Sequence, residues 1–260
     1  MACLIFLGKV EKMYGSTARA DPYTLSHPVS SDRIESIHSY MKKCAHKRAF
    51  MPAEIESKFQ RIKAKMMAFL EPQRALQTYK DNSLQARYAR AIAHYRLGQF
   101  AQGLSEIDIL LKEHPKDPYF YELKGQVLFE TGEIERAIPA LQKAHALRPH
   151  SPLIKILLAH ALIERTSPPG SAEAIKILVP LTQRHPQDFP MAWRLLATAY
   201  GKTNQLGEAA LALAEEGYLQ ENYGLAASQA NRAKGMLKSN PKAAMRAGDL
   251  LSQIKNKSGG

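Results

Sequence analysis

From about Pro52 onward the apolar residues recur every three or four positions, the period of a helix with one buried face. The pattern predicts helix almost continuously to Ile254. In the first such stretch, Phe59, Ile62, Met66, Phe69 and Leu70 fall on one side and Lys58, Arg61 and Lys65 on the other. The apolar stripe is therefore expected to face a core and the cations to face water. Beyond residue 84 the pattern itself repeats. Ala91 and Gly125, Gly98 and Gly132, Phe100 and Ile134, Ile107 and Leu141, and Pro115 and Pro149 are matched pairs 34 positions apart.

A 34-residue period with a small residue inside the first helix, Gly at the turn and Pro after the second helix has the signature of the tetratricopeptide (TPR) repeat. Each position has a physical reason. Ala91 and Gly125 belong where the two helices of a hairpin cross, and a minimal side chain lets the backbones approach. Gly98 and Gly132 end the first helix in the left-handed conformation that Gly adopts cheaply. Pro115 and Pro149 stop the second helix. A third unit has Ala159 at the crossing and Pro186 at its close, with TSPPGS lengthening its spacing to 37. A fourth begins at Trp193, with Leu196, Ala197 and Tyr200 following on consensus positions. Two further helices then read as a hairpin that caps the stack, as solenoids require. The expected fold is all-α, a TPR-type solenoid of helical hairpins over 84–260. Resemblance to TPR proteins places Gln85, Tyr88, Ile92, Tyr95 and Arg96 of the first unit, and Tyr119, Glu122, Gln126, Phe129 and Glu130 of the second, on the concave groove. Aromatics mixed with Arg and Glu suit an extended peptide or a neighbouring domain, although Tyr88 and Phe129 would equally serve to pack one repeat on the next.

Composition sharpens this only in part. At 260 residues and 45% hydrophobic the chain is long enough for a substantial core. The early apolar run Ala2–Leu7 is far shorter than a membrane helix and lacks a preceding Lys or Arg, so neither a transmembrane segment nor an export signal is expected. Cys3 and Cys44 form no CxxC pair and read as two separate thiols. The net charge of +12 raises nucleic acid or an anionic surface as a partner, and from Asp32 to Arg90 there are 13 Lys and Arg against 6 Asp and Glu. No recognition motif accompanies these cations, and a solvated helix face explains them without a specific nucleic-acid partner.

The segment DPYTLSHPVSSDRI, from Asp21, resembles the stretch that follows the catalytic core in bacterial zinc metallopeptidases related to the CAAX prenyl protease, of the periplasmic, outer-membrane-assembly type. FQRIKAKMMAFL, RYARAIAHYRLGQ, DPYFYELKGQVLFETG and AAMRAGDLLSQI resemble later stretches of the same proteins in the same order. The resemblance implies that 1–50 are the tail of a metallopeptidase domain, 51–83 linking helices and 84–260 the TPR portion. It also implies zinc as the family's cofactor and a periplasmic location. If the chain is a complete product, the lack of an export signal points instead to the cytoplasm.

The family's HExxH places two His ligands one helical turn apart with a general-base Glu between them. No two of the nine His residues are four apart, so this chain alone is expected to hold no zinc and to cleave nothing. No Ser/His/Asp or Cys/His arrangement or Gly-rich phosphate loop presents itself. His27, in the His-Pro pair that the family brings near its metal, would be a ligand or gate only with a catalytic domain present; otherwise it is a loop residue. The reading is a protein-interaction module that docks an outer-membrane client or assembly partner, or packs on a protease domain. The alternatives are a functional zinc endopeptidase whose catalytic half is a separate chain, and an anionic-surface or nucleic-acid binder.

Overall fold

The computed structural model describes residues 35–40, 52–166 and 169–258. His27 and both cysteines lie outside the described residues. The chain divides into two compact units, 1–58 and 59–260. Within the first, a short helical stretch covers 35–40.

Twelve helices follow from Ala53: α1 (Ala53–Leu70), α2 (Pro72–Thr78), α3 (Leu84–Arg96), α4 (Phe100–Glu113), α5 (Pro118–Glu130), α6 (Ile134–Leu147), α7 (Pro152–Glu164), α8 (Ser171–Arg184), α9 (Pro190–Lys202), α10 (Leu206–Leu219), α11 (Tyr223–Met236) and α12 (Pro241–Ser258). They pair as α3/α4, α5/α6, α7/α8, α9/α10 and α11/α12, and each hairpin stacks on the next. The described residues contain helices and no strands. This is the expected solenoid of helical hairpins.

The turns show why the period is kept. Gly98 and Gly132 have φ of 72° and 80°, and the residue after each sends its N–H five residues back along the chain, Gln99 to His94 O and Glu133 to Leu128 O, both at 2.8 Å. Asn204 and Glu221 take the same conformation, with φ of 58° and 59°, and the same closure follows from Gln205 to Tyr200 O and from Asn222 to Gly217 O. Asn tolerates that region; Glu at 221 is strained.

The crossings are tight as expected. A Cβ on Gly125 would sit 2.4 Å from the side chain of Leu141, which is fully buried. In the first hairpin the close approach also involves Gly103, whose Cβ would lie 3.2 Å from the Ala91 carbonyl oxygen. Most of the core is Ala, Leu and Ile drawn from successive hairpins.

Near the C-terminal end, two adjacent acids, Glu215 and Glu216, are each only 3% exposed. Arg246 of α12 donates to Glu215 through Nε at 2.5 Å and Nη2 at 2.8 Å. Arg194 of α9 donates to Glu216 at 2.6 Å. One helix is thereby tied by charge to the helix before it and to the last helix.

Candidate protein-interaction surface

Helix α1 turns over the reading made from its sequence. Its inward residues are Arg61, Ala64 and Ala68, the two alanines fully buried, whereas Phe59, Ile62, Met66 and Leu70 are 47%, 61%, 52% and 73% exposed. The stripe expected to be core is therefore largely at the surface, and Arg61 of the expected solvent face is enclosed. The physical reason lies in what faces it. Arg61 donates to both carboxylate oxygens of Asp117, at 2.5 and 3.0 Å. Its guanidinium carbon also lies 4.6 Å from the ring centre of Phe120, 5.0 Å from that of Tyr88 and 5.5 Å from that of Tyr119. A planar cation with five donors fits an acid framed by rings better than any aliphatic side chain does, and Ala64 and Ala68 let the helix come close enough to place it. Asp117 also caps α5, accepting from the Tyr119 N–H at 3.0 Å.

The residues assigned from sequence to the concave groove therefore part company. Ile92 is fully buried and Tyr88 is 3% exposed, so both belong to the core. Tyr88 packs edge-on to Phe120 with ring centres 5.3 Å apart, and burial pushes its phenol up to about 12. Tyr95, 8% exposed, lies edge-on to Phe69 of α1 at 6.5 Å. Its hydroxyl donates to the Glu130 carboxylate at 2.7 Å and accepts from Gln126 Nε2 at 3.1 Å. Three predicted groove residues from two repeats thus meet in one hydrogen-bonded cluster, with Tyr95 buried and Glu130 at the surface. Burial first, and then the Glu130 carboxylate, push Tyr95 up to about 12.

The other five have separate places. Arg96 is exposed, its guanidinium 5.9 Å from the Phe69 ring. Gln85, Tyr119, Glu122 and Phe129 are half-buried. Burial raises the Glu122 carboxyl, against the pull of Lys65. Phe129 packs on His160 of the third hairpin, ring centres 4.7 Å apart. The inner face of the first two hairpins is thus met by the chain's own α1, and of the stripe read from its periodicity only Phe69 turns to that face, against Tyr95.

Farther along the solenoid, large apolar side chains are exposed at the starts of first helices. Leu153 follows Pro152 in α7 and is 63% exposed; Met191 follows Pro190 in α9 and is 55% exposed. They hold the position that Tyr119, after Pro118, holds in α5. No group of three His, Cys, Asp or Glu among the described residues is arranged to hold a metal. No described helix is long and apolar enough to cross a membrane.

Comparison with known proteins agrees with this architecture. Two tetratricopeptide repeat profiles match residues 88–152 and 128–199. The chain is 28% identical over 155 residues to the beta-barrel assembly-enhancing protease of Yersinia pestis, a match covering 58% of this chain and 31% of that protein. Among solved structures, MamA of strain MSR-1 superposes with a TM-score of 0.51 at 18% identity, over 65% of this chain and 98% of that one. MamA of strain AMB-1 gives 0.51 at 18% identity, over 65% and 93%. At such identity the MamA likeness speaks for the fold alone. Residues 88–199 carry tetratricopeptide repeats, and the chain spans less than a third of the length of the protease it matches.

Proposed function

We propose that the chain is the protein-docking part of a beta-barrel-assembly type of metallopeptidase system in the periplasm, and that it packs on a protease domain through the outward face of α1. The observation that carries this is the exposed stripe Phe59, Ile62, Met66 and Leu70 on a helix whose opposite face is anchored by Arg61. Four large apolar side chains at helical spacing, left in water, favour association. The repeats supply the rigid seat for α1. Leu153 and Met191 support a second contact, for an outer-membrane client or assembly partner held along the later hairpins. Zinc and proteolysis would belong to the domain docked on α1.

The test pairs this chain with the portion of the Yersinia protease outside the matched region, by isothermal titration. Ile62→Glu with Met66→Glu should weaken the association at least tenfold, with an unchanged melting temperature because both side chains are exposed. Equal affinity for wild type and the double variant would overturn the proposal. So would a chain that uses this stripe only to pair with itself, shown by a concentration-dependent dimer that the same substitutions abolish.

A further inference from the structure

A cleft of about 410 Å³ opens where the C-terminal ends of α6 and α8 meet the first turn of α7. Its charged wall is formed by Lys155, Lys176 and Arg184, with His145, His150 and His185 beside them, and no carboxylate lines it. Elsewhere the cations that bridge elements find acids: Arg61 with Asp117, Arg90 with Glu106, Arg194 with Glu216 and Arg246 with Glu215. Here the three full cations have no ion-pair partner among the described residues. The nearby acid that is engaged, Asp188, accepts from His185 Nδ1 at 3.0 Å.

A further feature belongs to the same lining. His145 Nδ1 is shut off from water and has no hydrogen-bond partner. Burial, and then the Lys155 ammonium, hold this imidazole below its usual value. Three full cations on one cleft wall, with no carboxylate to answer them, suit an acceptor-rich anion. Basic residues in the last turn of a helix also answer its C-terminal dipole, which accounts for His145 and Arg184. That reason does not extend to Lys155, at the N-terminal end of α7, or to Lys176 in mid-helix. Ile177, Pro180 and Pro149 supply an uncharged floor.

We propose that this cleft binds a phosphate-bearing anion, with Lys155, Lys176 and Arg184 holding the phosphate and the uncharged part of the ligand lying on Ile177 and Pro180. Three full cations lining one cleft match a dianion better than a single carboxylate, and the guanidinium adds paired donors. The volume lies within the range of small-molecule sites and exceeds what a bare ion needs. The phosphate could belong to a soluble ester or to a lipid headgroup, and the two are separable by experiment.

The full chain is titrated at constant ionic strength with glycerol 3-phosphate and inorganic pyrophosphate, and is floated with vesicles of phosphatidic acid against vesicles of phosphatidylcholine. Saturable binding of a soluble probe identifies a free ester; retention on phosphatidic acid alone identifies a headgroup. In either case Lys176→Gln with Arg184→Gln should weaken binding at least tenfold. Both side chains are exposed, so the fold survives, and Lys176→Arg should keep most of the affinity. Lys112→Gln with Lys116→Gln, equally exposed on another part of the molecule, should leave it unchanged. The imidazole ¹⁵N signals of His145 should move on binding in the wild-type chain. Absence of saturable binding with every probe overturns the proposal, as does equal weakening in the control pair, which would mark attraction to net charge alone.

Discussion

Replacing Arg61 by Ala should release α1 from the repeats. The side chains of Arg61 and Asp117 are 23% and 17% exposed, so their bidentate contact is well shielded, and charged hydrogen bonds of this kind contribute about 1.5–3 kcal/mol. Each well-placed ring adds roughly 0.5–1 kcal/mol, and three rings surround the guanidinium. Asp117 keeps part of its solvation and its cap bond to the Tyr119 N–H, which limits the penalty for leaving it unpaired. The expected cost is about 2–4 kcal/mol. Most of it should appear as local opening, because α1 precedes the hairpins and they keep their own core. Hydrogen exchange should therefore show faster exchange of the amides of 62–70, with α7–α10 little changed. Lys cannot reproduce the two-pronged contact, so Arg61→Lys should recover less than half the loss. The decisive measurement is a double-mutant cycle of Arg61→Ala with Asp117→Asn, a change that retains a capping side chain. A coupling of about 1.5 kcal/mol or more is expected. A coupling below about 0.5 kcal/mol would mean the pair behaves like an exposed ion pair, and the account of what turns α1 inward would fail.

Other consequences are as direct. Gly125→Ala drives a Cβ into the buried Leu141 side chain and should cost about 1–3 kcal/mol in chemical denaturation, whereas Gly132→Ala, with open space around it but φ of 80°, should cost about 1–2 kcal/mol from backbone strain alone. Glu221→Gly relieves the same strain at φ 59° and should stabilise by about 0.5–1 kcal/mol, read as a higher denaturation midpoint. Arg246→Ala leaves Glu215 buried and unpaired and should destabilise the C-terminal hairpin by about 3 kcal/mol, visible as a loss of exchange protection in α11 and α12. Tyr95 ionises near 10 when unfolded and at about 12 when folded, so the unfolded state loses its proton first. Its contribution to stability is intact below pH 10 and is lost as pH rises toward 12; Tyr95→Phe should flatten the fall in melting temperature across that window.

What the sequence determined by itself was the repeat. A 34-residue spacing of small crossing residues, turn glycines and closing prolines can be read from one chain because each acts locally or on its own hairpin partner. Gly98, Gly132 and Gly125 do in the structure what their positions required. The third and fourth units were also legible, but beyond them the repeat register faded; from the fourth unit on, the turn conformation passes to Asn204 and Glu221 without a glycine to mark it. Only the tertiary structure decided which face of α1 is inside. Periodicity locates a stripe but does not say what will cover it, and size misleads when the receiving surface is an acid among rings. Arg61 with two alanines and Phe69 fits that surface, and Phe59, Ile62, Met66 and Leu70 of the same helix are left outward. For the same reason the groove residues separated: Tyr88 and Ile92 became core and Tyr95 the buried member of a hydrogen-bonded cluster, since a repeat position lines a groove only where no other segment fills it. The cleft beside His145 was beyond reach from sequence, because its cations come from two helices and stand beside three histidines whose spacing along the chain carries no common period.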